Sequence, residues 1–289
     1  MFCYFLAVFF LCYLLGEDDS GFELLVLFCL ASRARWKKED LGGLTPKEKL
    51  AETLSQLLVK DPEAFISVGQ SENEELEFLF LQTSRMRKVM QTYGKVLLLD
   101  HTYKINKTRM PVTILMTTDG HGNGRSVGYA FLANEKSVTI EQVISACKSS
   151  ITEVDANKIK TVVIDKDYSE LKAIKNVLPV ANIQLCNFHV SRALKKKATA
   201  LKENEAVKSL LQSIRYAVTE EEFQELVSQL NKEASEKFKE YFDSNWLSCP
   251  MAWAYRDKKK SINLGNNTNN RLECHIAKIK VVSLMLILP

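Results

Sequence analysis

The sequences KVLLLD, at residues 95–100, and TVVID, at residues 161–165, establish the architecture of this chain. Each is a short apolar run of the kind that forms a buried β-strand, and each ends in an aspartate. An ionised carboxylate left unpaired in a protein interior is costly. We therefore expect Asp100 and Asp165 to meet a cation, a polar partner or open water.

Strands and helices follow one another in a definite order around these two runs. KVLLLD is followed by PVTILMTTD (111–119) and RSVGYAFLA (125–133) with short turns between them, which predicts an antiparallel meander. From residue 138 predicted helices alternate with strands, the pattern of parallel pairing through right-handed crossovers. The order β-β-β-α-β-α-β-α predicts an α/β fold with a ribonuclease H-like mixed sheet.

The remaining segments complete the predicted organisation. A helical lead-in, with helices over 45–65 and 73–93, precedes the core at 95–200, and a helical insertion at 201–262 separates the core from a final core helix at 263–280. Met1 to Leu15 is almost wholly apolar but shorter than the roughly 20 residues of a membrane span. We leave 1–44 outside the fold because its apolar start is either a signal or membrane anchor or a wrongly assigned first exon, and 281–289 because it is unlike a natural domain ending.

Composition restricts the function classes only loosely. With 289 residues, 46% hydrophobic and 26% charged, the chain predicts one large or two ordinary globular domains. Seven scattered cysteines favour a reducing compartment over a disulfide framework. The net charge of +4 is mild, so a nucleic-acid surface is indicated only by local runs such as Lys195–Lys197, which are equally compatible with a solvated helix face.

Asp100 and Asp165 predict a metal site because their strands should be neighbours in this topology. Carboxylate oxygens suit Mg²⁺ or Mn²⁺, and a pair of such ions supports phosphoryl transfer. The alternative is that each aspartate is only a strand-end turn residue. Asp167 and Glu170 are interpreted instead as a capping box at the start of the following helix.

Three further residues are candidates for the same region. Glu273, at the start of the last helix, would be either a third metal ligand or an exposed glutamate stabilised by the helix dipole. Cys186 and His189 form a C-x₂-H pair, which is half a zinc ligand set or simply a packed strand-to-helix junction. Cys274 and His275 are the only obvious candidates for the other half, so zinc is not expected within this chain.

Three ordered blocks resemble the ribonuclease H-like domain of Mutator-like transposases and their domesticated relatives, the SWIM zinc-finger proteins. DHTYKIN at 100–106 resembles the block D-G-T-Y-K-x-N. The second block, with its C-x-x-H, is matched by IDKDYSELKAI and LPVANIQLCNFHVSRAL within 164–194, and T-N-N-x-x-E is matched by TNNRLECHIAKIK at 268–280.

The resemblance implies a DDE-type core. Asp100, Asp165 and Glu273 would be its catalytic metal ligands for Mg²⁺ or Mn²⁺, its substrate would be DNA and its location the nucleus, unless the apolar amino terminus is a genuine anchor. His101 stands where the family usually has glycine. No zinc-binding DNA domain precedes the core and no SWIM motif follows Lys280, so we expect a piece of a longer protein.

Two functions follow as hypotheses. The first is metal-dependent phosphodiester cleavage or strand transfer on DNA, at least in the ancestry of the domain. The second is a domesticated, non-catalytic nuclear protein that binds DNA or proteins, with Lys195, Lys196 and Lys197 as nucleic-acid contacts. Either function is compatible with oligomers.

Overall fold

The computed structural model of the chain describes residues 43–102, 110–258 and 260–287. Their central element is one seven-stranded mixed sheet with the order β1-β2-β5-β4-β3-β6-β7. Its strands are β1 (Phe65–Gln70), β2 (Leu76–Gln82), β3 (Val96–Thr102), β4 (Val112–Thr118), β5 (Gly124–Leu132), β6 (Thr161–Ile164) and β7 (Asn182–Leu185).

Helices pack on both faces of the sheet and form the insertion. Those of the sheet layers are α1 (Pro46–Lys60), α2 (Ser84–Tyr93), α3 (Ser137–Ser149), α4 (Glu153–Ala156), α5 (Tyr168–Val177), α6 (Asn187–Ala200) and, at the end of the chain, α12 (Asn270–Ile287). The insertion contains α7 (Glu205–Tyr216), α8 (Glu220–Glu233), α9 (Glu236–Phe242), a π-helical turn (Asp243–Leu247), α10 (Pro250–Trp253) and α11 (Tyr255–Lys258).

The strand pairing confirms the predicted α/β ribonuclease H-like topology. β3, β4 and β5 form the antiparallel meander, and β6 and β7 continue the sheet in parallel from β3. Leu98 pairs with Val163 across β3 and β6. Two residues further along each of these strands, Asp100 within β3 and Asp165 directly after β6 therefore lie side by side towards the carboxyl ends of the two strands.

Alternation along β3 sends consecutive side chains into two different cores. Leu97 and Leu99 pack in the larger core with α3 and α5, whereas Val96 and Leu98 pack in the core that includes Leu272 of α12. Asp100 has the parity of Leu98 and belongs to the α12 face. His101 consequently belongs to the α5 face.

The lead-in is only partly helical, which corrects the sequence prediction. The predicted helix over 73–93 is wrong in its first half, where LEFLFLQ forms β2, and β1 was missed altogether. β2 is an inner strand between β1 and β5. Both of its faces are covered, because Phe80 enters one core and Leu79 the other. A strand with two buried faces has no polar alternation, and its apolar run is easily read as a helix.

The insertion is helical, as predicted, and has an aromatic centre. Trp246 and Trp253 are almost completely buried, with ring centroids 5.7 Å apart in an edge-on arrangement. The indole nitrogen of Trp253 donates to the Trp246 carbonyl oxygen at 2.9 Å. Within the part of the chain that the structure describes, no helix has the length and apolar character needed to cross a membrane.

Candidate metal and phosphodiester site

The three predicted carboxylates converge at the carboxyl ends of β3 and β6. Asp100 lies within β3, and Asp165 directly follows β6. Glu273 lies in the first turn of α12, and His189 in the first turn of α6. The structure thus brings together residues from four separate elements, which the sequence order alone leaves far apart.

His189 lies between two of the carboxylates. Its Nδ1 is in hydrogen-bonding contact with Asp165 Oδ1, and its Nε2 is 3.2 Å from Glu273 Oε1. The side chains of Asp165, His189 and Glu273 are 31%, 25% and 34% exposed, so a ligand from solvent has access to all three. The Asp165 carboxylate, as acceptor of the imidazole N–H, and next Cys186 raise the pKa of His189 to about 10.

Asp100 is held in a strongly anionic and buried position. Burial, followed by the nearby charge of Asp165 and more weakly that of Glu273, raises its pKa to about 7, against the opposing effect of His189. Carboxylates that raise one another's pKa in this way form a group to which a divalent cation would bind favourably.

Asn269 joins these elements and was not singled out as a site residue. Its amide nitrogen Nδ2 lies 3.4 Å from both the Leu99 carbonyl oxygen and Asp165 Oδ1. Its backbone N–H donates to Cys186 Sγ at 3.2 Å. Asn269 belongs to the block T-N-N-x-x-E, of which only the glutamate was predicted to be a site residue.

Cys186 is completely buried at the start of α6, next to a buried lysine. Lys258 Nζ donates to the Leu185 carbonyl oxygen and, at 2.8 Å, to Asn187 Oδ1. Burial lowers the pKa of Lys258 to about 8, and Cys186 partly offsets this effect. The lysine therefore fastens the insertion to the junction that carries Cys186 and His189.

The side chains whose potential metal-binding atoms lie closest together are a carboxylate, a thiol and an imidazole. Donor atoms of Asp165, Cys186 and His189 lie within 4.8 Å of one another, and in the described segments they are the one group of three or more that does. Cys274 is exposed, and His275 is engaged elsewhere, so the other predicted half of a zinc set does not join them. Asp100, Asp165 and Glu273 do not form such a group among the described residues, and His189 lies between Asp165 and Glu273. Their carboxylate oxygens are nevertheless the donor type that Mg²⁺ and Mn²⁺ prefer.

The capping prediction for the helix after Asp165 is half correct. Asp167 accepts the backbone N–H groups of Ser169 and Glu170, as expected of an N-cap. Glu170 does not reach back to the cap; its Oε1 lies 3.2 Å from His101 Nε2 in the α5 core. The prediction failed because it took no account of the partner that β3 presents there.

His101 turns away from the carboxylates and does not crowd them. Its Nδ1 is 2.7 Å from Thr113 Oγ1. Burial lowers the pKa of His101 to about 4, and burial together with Asp167 raises the pKa of Glu170 well above its usual range. In both groups burial is the largest effect, and it disfavours the charged form. Tyr103 to Asn106, the rest of this family block, lie outside the described residues.

A buried polar network anchors the helix that carries Glu273. His275 Nε2 lies 2.7 Å from the Tyr129 hydroxyl and 3.1 Å from Ser126 Oγ. One turn earlier in α12, Arg271 Nε donates to the Gly122 carbonyl oxygen at 2.7 Å. These contacts fix α12 to β5 and its preceding turn and so position Glu273.

The predicted basic run divides between different environments. Lys195 lines a groove between α6 and α7, and Lys196 is exposed outside it. Lys197 Nζ lies 4.9 Å from the centroid of the Tyr241 ring, against the insertion. The three lysines therefore do not form one continuous face.

Comparison with known families supports the fold independently. Residues 55–184 match the family described as "Zinc finger SWIM domain-containing protein 1/3, RNaseH-like domain". This match begins within α1 and ends in β7, so it includes the two strands that the sequence prediction missed. Asp100 and Asp165 lie within it, whereas Cys186, His189 and Glu273 lie beyond its end.

Several curated proteins are similar to the chain at low identity. Mouse uncharacterized protein ZSWIM9 is 22% identical over 208 residues, 70% of this chain and 46% of that protein. Its human counterpart is 22% identical over 69% of this chain and 32% of its own length. Protein FAR1-RELATED SEQUENCE 5 of Arabidopsis thaliana is 24% identical over 51% of this chain and 18% of its length. The chain thus spans less than half of each relative.

Proposed function

Because this chain contains a ribonuclease H-like domain of the SWIM zinc-finger, transposase-derived type, we propose that Asp100, Asp165 and Glu273 bind Mg²⁺ or Mn²⁺ and act on the phosphodiester backbone of DNA. The observation that carries the proposal is the convergence of these three carboxylates on one accessible edge of the sheet. Nuclear location follows from a DNA substrate and remains a prediction.

The chemistry of the ligands supports this assignment. Three carboxylates supply the hard oxygen donors that Mg²⁺ and Mn²⁺ prefer. Burial and the charges of Asp165 and Glu273 hold the pKa of Asp100 at about 7. A cation at this position would offset the repulsion between these carboxylates. When bound, such ions activate the attacking oxygen and stabilise the leaving oxygen of a phosphodiester.

The protein's own residues supply orientation and charge compensation. Asn269, through its amide, restrains the Asp165 carboxylate from the side of the sheet. The network of His275 and Tyr129 holds α12, which keeps Glu273 at the site. His189, with its raised pKa, carries a positive charge at neutral pH between Asp165 and Glu273. It is also placed to transfer a proton when those carboxylates turn towards a cation.

The same histidine favours a second candidate function, a non-catalytic DNA- or protein-binding domain. An imidazolium between Asp165 and Glu273 compensates two of the three carboxylates without any metal. In a domesticated protein this internal ion pair would preserve the fold after catalysis is lost. The two candidates differ in whether a divalent cation displaces His189.

Nicking of supercoiled plasmid DNA tests the proposal. The purified protein is incubated with Mg²⁺, Mn²⁺ or EDTA, and conversion to open circles is measured on gels. Cleavage that requires the metal and disappears in Asp165→Asn, but persists in the control Asp155→Asn, supports catalysis. Asp155 is a suitable control because it forms a peripheral ion pair with Lys158. Equal, metal-independent background in all proteins would favour the non-catalytic function.

A further inference from the structure

A groove with a volume of about 410 Å³ separates α6 from α7 and is not used by the carboxylate site. Seven of its nine lining residues have polar or charged side chains, and three of these are cationic. These cationic residues, with the one acidic residue beside them, are Lys195, Lys208, Arg215 and Glu205. The groove therefore has an excess of positive charge that an anionic ligand would compensate.

Arg215 is the most informative residue of the groove. It is 6% exposed, donates from Nη1 to Gln212 Oε1 at 2.7 Å and from Nη2 to the Asn187 carbonyl oxygen at 3.0 Å. In the described part of the chain its Nε has no hydrogen-bond partner, and the guanidinium forms no ion pair with a carboxylate. An arginine stays protonated, and among the described residues this buried charge faces the ring of Tyr216, 5.1 Å from the ring centroid, and no carboxylate.

The two lysines add charge that the fold compensates only weakly. Lys208 Nζ lies 2.6 Å from Glu205 Oε1, but the Glu205 side chain is 88% exposed. Exposed pairs of this kind contribute little and exchange readily with other partners. Lys195 lies close enough to lower the pKa of Glu205 further, after the dominant effect of Lys208. Of these three cations, only Lys208 has an ion-pair partner among the described residues, and that carboxylate is exposed.

We propose that this groove binds the phosphate backbone of a nucleic-acid strand as it leaves the carboxylate site. Guanidinium and ammonium groups are the usual ligands of backbone phosphates. The Nη groups of Arg215 already bind Gln212 and Asn187, so the two lysines would contact the phosphates while Arg215 adds positive charge beneath them. The groove therefore takes a phosphodiester, with binding that is electrostatic and independent of sequence.

Its position relative to the carboxylates favours nucleic acid over an acidic peptide. Arg215 holds the carbonyl oxygen of Asn187, in the same helical turn as His189. Lys195 follows His189 by six residues, which is about 9 Å along α6, a distance of two to three nucleotides. Six residues also turn the helix by about 240°, so a strand whose backbone lies at the carboxylates would have to pass around α6 to reach the groove. The direction of the strand rests on the proposed function; binding in the groove does not.

Of the three lysines in the predicted basic run, only Lys195 lines the groove; Lys196 and Lys197 lie outside it. Lys196 is exposed on the same helix but does not line the groove. The amine of Lys197 lies over the ring of Tyr241. Lys196 therefore provides a matched control, with the same charge and neighbouring sequence.

The test is fluorescence anisotropy with a labelled single-stranded oligonucleotide in EDTA, over a series of NaCl concentrations. Lys195→Gln and Lys195→Gln/Lys208→Gln are compared with Lys196→Gln and the unmodified protein. Loss of two phosphate contacts is expected to lower the slope of log affinity against log salt by about 1.4. Lys196→Gln is expected to leave that slope unchanged.

Three outcomes would overturn the proposal: an unchanged affinity in the double variant, an equal loss in Lys196→Gln, or equally tight, Lys195-dependent binding of polyglutamate. Asp165→Asn separates this proposal from the proposed function, because it should abolish nicking while oligonucleotide binding in EDTA persists. If the unmodified protein does not nick DNA but the double variant binds more weakly, the groove stands and catalysis does not.

Discussion

His275 should contribute to the acid sensitivity of the folded protein, and replacing it should remove that contribution. Its imidazole is confined between α12 and β5 by Tyr129 and Ser126. Burial, with a smaller effect of Lys278, lowers the pKa of His275 from 6.5 to about 4. Below pH 6.5 the unfolded chain therefore binds a proton that the folded protein does not, and acid favours unfolding.

The size of this effect follows from the two pKa values. Between about pH 7.5 and pH 4.5, His275 alone is expected to remove about 2.5 kcal/mol from the free energy of unfolding. His275→Gln keeps groups that accept from Tyr129 and Ser126 but cannot take up a proton. Its stability should therefore fall by about 2.5 kcal/mol less over that interval than the stability of the unmodified protein.

Urea denaturation followed by far-ultraviolet circular dichroism measures this difference. His121→Gln is the control, because His121 lies in the exposed turn between β4 and β5 and its backbone N–H, not its ring, donates to Asp119. The control should parallel the unmodified protein at every pH. Parallel stability profiles for all three proteins would refute the reasoning.

Three substitutions test the packing and capping of the fold by urea denaturation. Gly128→Ala should lower the free energy of unfolding by about 1–3 kcal/mol, because a Cβ there would lie 2.8 Å from the ring of Phe80. The control Gly120→Ala should be nearly neutral, because the atom nearest to its Cβ would be 3.9 Å away. Equal effects of the two substitutions would contradict this. Asp167→Ala should cost about 1 kcal/mol through loss of the α5 N-cap, and an unchanged midpoint would argue against that role. Trp253→Ala should lower the free energy of unfolding by about 3–5 kcal/mol and abolish the near-ultraviolet dichroism of the insertion. An unchanged near-ultraviolet signal would contradict this prediction.

The core topology was predictable because its strands carry clear local signals. KVLLLD and its successors are short apolar runs separated by turn residues, and the later alternation with helices indicates parallel pairing. The order of strands then places Asp100 beside Asp165. β2 was not predictable in the same way, because a strand covered on both faces lacks the polar alternation that separates strands from helices.

The candidate site was predictable as a set of carboxylates but not as an arrangement. Glu273 and Asp165 are 108 residues apart in the chain, and only the packing of α12 against β5 decides that they meet. The bridging position of His189 depends on the direction of α6, and the burial of Glu170 depends on His101 from another strand. Such long-range pairings leave no local pattern in the sequence.

The central claim is that Asp100, Asp165 and Glu273 bind a divalent cation, and calorimetric titration with Mn²⁺ tests it most directly. The account predicts saturable binding to the unmodified protein and to the peripheral control Asp155→Asn. Binding should be lost in Asp165→Asn and strongly weakened in Asp100→Asn and Glu273→Gln. No heat of binding in the unmodified protein, or equal binding in all of the variants, would contradict it.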